Sequence, residues 1–410
     1  MSRRICCVVN HFDPDTGGGG AVYSDMIYAL ADRGLEVTVI CPIAFYPEFR
    51  DKEGRNGLRV YHERRANLSL HRYGFFIPTA PRSLLQRLGL ELSLTLSMLR
   101  ALPRIRGHDA LVVFVPYFAQ LVVGALATIS FRMPAWLNVQ DIMSDAAETT
   151  GHARYRFVFS AMRALENRLS RQFDVLSTIS PRMAGRLRER DRSRPILLIP
   201  NWPDHRLLAA LDAVPHADER QPADRPLRLL YAGNIGAKQN LLAFCELVAD
   251  TDADLVFEIC GSGAAAAEVE RFIARRSDAR FRFEPFLPLE QFAARLKGAD
   301  LYVVTERSGV GGSFFPSKLM SAFAAGTPIL ALSDRESPLG TEMREAAPGP
   351  HFTWQELDRI ADLLLELRPG DRRLVEWSER ALKRADAYDR TVVLDQIERL
   401  LTSLIERNPR

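Results

Sequence analysis

Four glycine- or lysine-bearing stretches of this 410-residue chain could hold a charged group. Gly17-Gly18-Gly19-Gly20 lets a backbone approach an anion closely, and a helix starting just after it would offer free N–H groups to the same anion. Gly233-Asn234-Ile235-Gly236-Ala237-Lys238-Gln239 and Gly261-Ser262-Gly263 repeat that chemistry. Phe315-Pro316-Ser317-Lys318-Leu319 opens a helix whose N-terminus, at Pro316 or Ser317, would carry the partial positive charge that suits a diphosphate without a metal. Lys238 and Lys318 stand out because the chain has only five lysines against many arginines. Asp141, with Asp145 and Glu148 in the same loop, has the chemistry to orient or deprotonate a hydroxyl, and Asp141 or Asp145 could equally cap a turn. A tight turn with no ligand is the plain alternative for the first glycine loop. A dinucleotide site fits that loop poorly, because the next strand ends in Cys41-Pro42 and not in an acid that would hold a ribose. Asp13-Pro14-Asp15 has the spacing of a metal-bridging pair but precedes the glycine loop, so no metal is expected.

Such loops function only if strands and helices present them. Arg4 to Asn10 is an apolar run, Val22, Met26, Ile27 and Leu30 mark one helix face, and Leu35 to Cys41 is a second strand, so the chain opens as a βαβ unit. Buried runs at Ala110–Val115, Ala135–Gln140 and Val175–Ile179, separated by helical pattern, continue an open parallel sheet. Between Pro200 and Pro226 the chain turns polar and proline-rich, which predicts a linker over 201–225 after a first domain of 1–200. The alternation then restarts, with strands at Leu227–Ala232 and Leu255–Cys260 and helices at Leu241–Ala249 and around Val269–Arg275, for a second α/β domain over 226–385. The tail, 386–410, reads as an amphipathic helix packing back on the first domain. In open α/β sheets the loops after strands are where ligands bind, and that is where all the glycine stretches fall.

Composition narrows the class. Hydrophobic residues are 47% and charged residues 26% of the chain, which excludes disorder, and a net charge of +3 is too small to mark a nucleic-acid binder. Five cysteines fall in apolar runs with no CxxC pair, and Met1 to Asn10 has a basic tip but too few apolar residues for a signal peptide, so a cytoplasmic setting is expected. Ala110 to Phe131 is uncharged and long enough to span a bilayer, yet Pro116, Gln120 and Gly124 divide it into a buried strand, a turn and a buried helix.

Asn138-Val139-Gln140-Asp141, Ser177-Thr178-Ile179-Ser180, Ile199-Pro200-Asn201-Trp202, Tyr231-Ala232-Gly233-Asn234-Ile235-Gly236 and Pro316-Ser317-Lys318-Leu319 with Ala325-Gly326-Thr327-Pro328 occur in an order that resembles family 4 glycosyltransferases of the GT-B fold, of the bacterial exopolysaccharide and colanic-acid type. The resemblance implies two Rossmann-like, doubly wound parallel-sheet domains facing a central cleft. It implies retaining, metal-independent, hexosyltransferase-like transfer from a nucleotide-sugar, with no cofactor. Donor contacts would fall at Gly18, Gly19, Gly233, Asn234, Gly236, Lys238, Gln239, Gly261, Gly263, Glu306, Ser313, Pro316, Ser317, Lys318, Leu319 and Ser321, while Asp141, or its rival Asp145, is the carboxylate expected to orient or deprotonate the acceptor hydroxyl. The chain departs from the family at four positions. Ser313 and Ser321 stand where many members have two glutamates, Asn234 where an arginine is usual, and Gln239 where a lysine is usual, with Lys238 displaced by one. The missing acids pass their roles to Glu306, to backbone groups or to Ser321. They also motivate the competing classes, a noncatalytic nucleotide-sugar-binding or scaffold protein and a GT-B nucleotide-sugar epimerase.

Glu63 to Arg106 holds eight arginines against two glutamates, with Tyr73-Gly74-Phe75-Phe76 and a leucine-rich run from Leu84 to Leu102. A basic, apolar surface there would suit a polyprenyl-linked saccharide acceptor and an anionic membrane, with the protein peripheral at the inner face of the plasma membrane. The alternative is that the leucines pack on the sheet and the arginines are solvated.

Overall fold

Short apolar runs buried on both faces need crossover helices to cover them, and the chain alternates accordingly. The structure, a computed structural model, describes all residues except 1–2, 16–18, 47, 56, 81–82, 143–155, 216–223, 310–317 and 408–410, and describes backbone alone at 84 and 156–159. Two compact units form, Met1–Asn201 with Thr391–Arg410, and Trp202–Arg390.

The first unit contains β1 (Arg4–Val8), β2 (Glu36–Pro42), β3 (Val60–Arg65), β4 (Leu68–Tyr73), β5 (Ala110–Val115), β6 (Ala135–Val139), β7 (Val175–Thr178) and β8 (Ile196–Leu198). They form one sheet in the order β3-β4-β2-β1-β5-β6-β7-β8, with β3 antiparallel to β4. The second unit contains β9 (Leu227–Ala232), β10 (Leu255–Cys260), β11 (Phe281–Glu284), β12 (Leu301–Thr305), β13 (Ile329–Leu332) and β14 (His351–Phe352), ordered β11-β10-β9-β12-β13-β14 and parallel throughout. In each sheet the winding reverses once, beside β1 and β5 in the first and beside β9 and β12 in the second, and that reversal opens a crevice at the carboxyl ends of the strands.

The uncharged stretch Ala110–Phe131 resolves into β5 and a helix at Phe118–Phe131. Among the described residues no helix is long and apolar enough to cross a membrane. Two expectations need correction. The linker contains a helix, His205–Ala213, because Leu207, Ala210 and Leu211 form an apolar stripe that packs into the second unit's core. β1 ends at Val8, so Asn10 lies beyond the strand. The Arg390–Glu406 helix lies with the first unit: it buries Val393, Leu394, Ile397, Leu401 and Leu404, and Arg33 pairs with Asp395 at 2.8 Å and Glu398 at 2.6 Å.

Within the second unit, Glu342 is 3% exposed and its carboxylate is held by Arg384, with one contact of 2.9 Å between Nη2 and Oε2. Removing the cation would strand a buried charge. Arg384→Met is expected to cost about 3 kcal/mol, read as a lower denaturant midpoint of the second unit's unfolding.

Candidate active site

The crevice of the second unit is built from loops that approach closer than side chains allow. Gly233 follows β9 with φ 117°, and a Cβ on Gly261 would stand 2.0 Å from the Gly233 carbonyl oxygen. Two backbone bonds clamp the loops, from Gly233 N–H to the Cys260 carbonyl at 2.8 Å and from Ile235 N–H to the Ser262 carbonyl at 2.8 Å. Gly263, at φ 150°, lies against the Ile235 carbonyl, which accepts from Ala265 N–H at 2.9 Å. Gln239 turns inward to cap the loop, accepting the Gly236 N–H at 3.0 Å. Among the described residues nothing accepts from the N–H groups of Asn234 and Ala237, and both residues are exposed.

Lys318 reaches back to this loop from the start of the Lys318–Ala325 helix. Its Nζ lies 3.6 Å from the centroid of the Tyr231 ring, and a Cβ at Gly233 would come within 2.9 Å of its Cε. Tyr231 is held by its hydroxyl, which donates to the Asn234 carbonyl at 2.6 Å. Desolvation lowers the Lys318 pKa to about 7, and no described carboxylate pairs with it. A cation on a π face gains on the order of 1–2 kcal/mol, which only partly offsets the loss of water. The arrangement is therefore poised to take an anion.

Glu306 follows β12 on the other side of the reversal. It is 2% exposed, and neither carboxyl oxygen has a hydrogen-bond partner. Burial raises its pKa to about 7, and the Asp334 carboxylate adds to the shift. Ser337 is close enough to temper that shift, but its hydroxyl is committed, donating to Ser333 at 3.1 Å and accepting from Gly340 N–H at 3.0 Å. The backbone around Glu306 is tied to the glycine loop, with Thr305 Oγ1 donating to the Gln239 carbonyl at 2.6 Å and Arg307 N–H to the Lys238 carbonyl at 2.7 Å.

The structure thus gathers Gly233, Asn234, Gly236, Gln239, Gly261, Gly263 and Lys318 at one crevice, with Glu306 across the reversal. Lys238 is exposed, and Ser321 is half-buried on the Lys318–Ala325 helix. Leu319 is fully buried in the core with Tyr302 and Phe323, so its side chain packs the helix and only its backbone could serve a ligand. Ser313, Pro316 and Ser317 lie outside the described residues, as do Gly18, Asp145 and Glu148.

In the first unit Gly19 precedes the Gly20–Asp32 helix at φ 86°, and a Cβ there would meet the Tyr23 hydroxyl at 2.4 Å. Asp141 follows β6 and is half-buried. Burial, with the Asp141 charge added, raises the pKa of Tyr23 and of Tyr46. Asp13 and Asp15 are each engaged within the fold. Asp13 accepts from the Tyr28 hydroxyl, while Asp15, 2% exposed, accepts the Phe45 and Tyr46 N–H groups and pairs with Lys52 at 3.2 Å, which together fasten the loop after β2. Asn10 and His11 were missed, though polar residues directly after an apolar run were a signal for them. His11 lies 3.5 Å from Asp15, and its ring is tilted against that of Tyr46 with 4.7 Å between centroids.

Two family descriptions match the chain, "Glycosyl transferase 4-like domain" over residues 17–202 and "Glycosyl transferases group 1" over residues 216–384. The chain belongs to the family 4 glycosyltransferases of GT-B fold. This glycosyltransferase is 28% identical, over 83% of its length and 85% of the relative's, to a protein named for colanic acid biosynthesis, the glycosyl transferase WcaI of Escherichia coli (strain K12). Its fold matches sucrose-phosphate synthase from Thermosynechococcus elongatus with a TM-score of 0.74 at 18% identity, covering 99% of this chain and 100% of the other. Anabaena Alr3699/HepE in complex with UDP-glucose matches at 0.66 and 15%, covering 97% and 99%.

Because an anion stabilises the ammonium, binding is expected to raise the Lys318 pKa from about 7 and to take up a proton above that pH. In calorimetry, wild-type affinity for pyrophosphate should exceed that of Lys318→Met at pH 6.5. The advantage should shrink as the pH rises past 7, by up to about tenfold per unit.

Proposed function

We propose that this glycosyltransferase moves a hexosyl group from a nucleotide-sugar, held through its diphosphate by the second unit, to a saccharide acceptor taken by the first, in building a cell-surface polysaccharide. The observation that carries this reading is the desolvated Lys318 ammonium over Tyr231 and against Gly233, with no carboxylate partner among the described residues. As the bond from the anomeric carbon to the phosphate oxygen breaks, charge accumulates on the diphosphate. A preorganised cation and loop N–H groups stabilise that charge more than they do the ground state. The HepE complex with UDP-glucose and the relative named for colanic acid biosynthesis support the donor and pathway class.

Glu306 takes hydroxyls of the ribose or the donor sugar in place of the acids absent at Ser313 and Ser321, and Asp141 orients the acceptor hydroxyl. Retention of configuration rests on the family resemblance. Metal independence rests on Lys318 and the loop as the counter-charge. With a panel of radiolabelled nucleotide-sugars and a membrane-lipid acceptor, Lys318→Ala is expected to lower kcat/KM by about 100-fold or more. A chelator should leave turnover unchanged. Loss of activity in chelator, restored by magnesium or manganese, would overturn the metal-free assignment.

Peripheral attachment to an anionic membrane is the second part of the proposal, and the structure changes which residues would serve it. Arg72 is 3% exposed, bonded to the Asp13 carbonyl and paired with Glu53 at 3.4 Å, and Phe75 is buried, so neither can meet lipid. Arg64, Arg65 and Phe76 are exposed. The Leu84–Leu99 helix carries apolar residues on two opposite faces: Leu90, Leu94 and Met98 are buried, while Leu85, Leu88, Leu92 and Leu96 are 57–80% exposed. At about 100° per residue the outer four share one stripe. The helix has a single acid, Glu91, whose carboxyl is buried and accepts the Phe118 and Ala119 N–H groups, so the outer face carries no negative charge to repel an anionic surface. Co-sedimentation with anionic liposomes should weaken with salt and with Arg64→Glu/Arg65→Glu, and should fall further with Leu88→Glu/Leu92→Glu. Equal partitioning in every condition would remove the support for this face.

A further inference from the structure

A chain of hydroxyls leads from the Glu306 carboxyl to an imidazole outside the donor contacts. Ser337 caps the Pro338–Ala346 helix, accepting the Gly340 N–H at 3.0 Å, which leaves its hydroxyl one proton and one lone pair. Its Oγ stands 3.1 Å from Ser333 Oγ, and Ser333 Oγ stands 3.0 Å from Nε2 of His351 on β14. Ser333 is fully buried, and Ser337 and Glu306 are 3% and 2% exposed, so the chain runs out of reach of bulk water. At its inner end, Ser337 is close enough to the Glu306 carboxyl to act against the pKa rise that burial causes. The backbone fastens the same connections together. Glu306 N–H donates to the Leu332 carbonyl at 2.8 Å, Ser333 N–H to the Phe352 carbonyl at 3.1 Å, and Trp354 Nε1 to the Glu306 carbonyl at 2.7 Å.

Each hydroxyl has one proton, so the chain points one way at a time. Pointed outward, Ser337 donates to Ser333, and Ser333 donates to a bare His351 Nε2 or to the Asp334 carbonyl at 3.2 Å. Glu306 then receives no proton from Ser337, which favours its neutral form. Pointed inward, His351 Nε2–H donates to Ser333, Ser333 to Ser337 and Ser337 to Glu306, which favours the carboxylate, and the bonds of such a chain strengthen one another. His351 decides the direction because an imidazole nitrogen can end the chain with a lone pair or with an N–H. Burial holds the His351 pKa below its ordinary value, with Arg335 and Arg344 adding to the shift and Ser333 and Glu356 opposing it. Asp334 is the charge that acts on Glu306. We propose that His351 is a positioning residue for Glu306: through Ser333 and Ser337 it sets whether Glu306 meets a ligand hydroxyl as a carboxylate or as a neutral carboxyl. This rests on the reading that Glu306 takes hydroxyls of the nucleotide-sugar.

The charge on Glu306 is read by infrared spectroscopy of the full-length protein, as the carboxyl C=O band that wild type shows and Glu306→Gln lacks. In wild type this band should titrate with a midpoint of about 7. His351→Phe, which can neither donate nor accept, should raise the midpoint by about one pH unit, because the carboxylate loses the donors behind it. In a Ser333→Ala background the same substitution should leave the midpoint where it is, whatever Ser333→Ala does alone. Should His351→Phe not unfold cooperatively, His351→Leu takes its place. UDP-glucose and GDP-mannose carry hydroxyls and pyrophosphate does not. In calorimetry His351→Phe should therefore weaken nucleotide-sugar binding by up to about tenfold at pH 6, where the higher midpoint keeps more of Glu306 protonated, and hardly at pH 9, with pyrophosphate bound equally by both proteins. A wild type without such a band, a midpoint that His351→Phe does not move, or an equal shift with and without the Ser333 hydroxyl would overturn the relay; the last result would mean that His351 acts through space or through packing. The expected infrared result, with both nucleotide-sugars indifferent to His351→Phe or bound by neither protein, would support the relay and sink the reading of Glu306 as their hydroxyl acceptor.

Discussion

Lys318 can lie on the Tyr231 ring only because position 233 has no side chain, and Gly233 can take its left-handed conformation under the lysine only because Gly261 lets the neighbouring loop pass against its carbonyl. The three residues lie on three different βα connections, so their contact depends on β9, β10 and β12 sharing one sheet with their carboxyl ends level. Much of the second unit's architecture serves that constraint. The core formed by Tyr231, Phe244, Phe257 and Val303 keeps the strands in register, and the backbone clamps from residues 233 and 235 to 260 and 262 transmit that register to the loops.

A cation without a carboxylate partner and a carboxyl without a hydrogen-bond partner, among the described residues, are both costly to bury, and the fold carries both on the connection after β12. Lys318 and Glu306 are each displaced toward neutrality by burial, in opposite directions, so both lie near their ionisation midpoint at physiological pH. This is the electrostatics expected of a site that would exchange water for a ligand. A buried pair built for stability looks different, and the second unit has one in Glu342 and Arg384, whose charges are matched and mutually bonded.

The first unit shows the same separation of roles. Asp15 is a spent charge, with two N–H groups and Lys52 upon it, and it fixes the loop after β2. The Asn10 carboxamide, the Tyr23 hydroxyl and the Gln120 Oε1 are buried with no hydrogen-bond partner among the described residues. The Leu84–Leu99 helix is similarly divided: its inner stripe completes the core, and its outer stripe is bare of acids.

Periodicity made most of the fold legible. The runs at Leu227–Ala232, Leu255–Cys260 and Ala110–Val115 are strands over the ranges their residues suggest, because an apolar run of that length between glycine or proline signals has few other ways to be buried. Motif order marked the glycine loops and Lys318, since close backbone approach requires glycine wherever it occurs. Local sequence could not show which members of a chemically uniform set face inward. Leu319 looks like part of a ligand motif and is core, Arg72 looks like part of a basic face and is buried on a carbonyl, and Leu88 looks like a packing leucine and is exposed. Gln120 and the Val9 carbonyl, more than a hundred residues apart, meet only when β1 and β5 become neighbours. Residue type and spacing determined which chemistry the chain could carry. Burial, which depends on contacts between distant segments, decided which of those groups have their hydrogen bonds met within the fold and which do not.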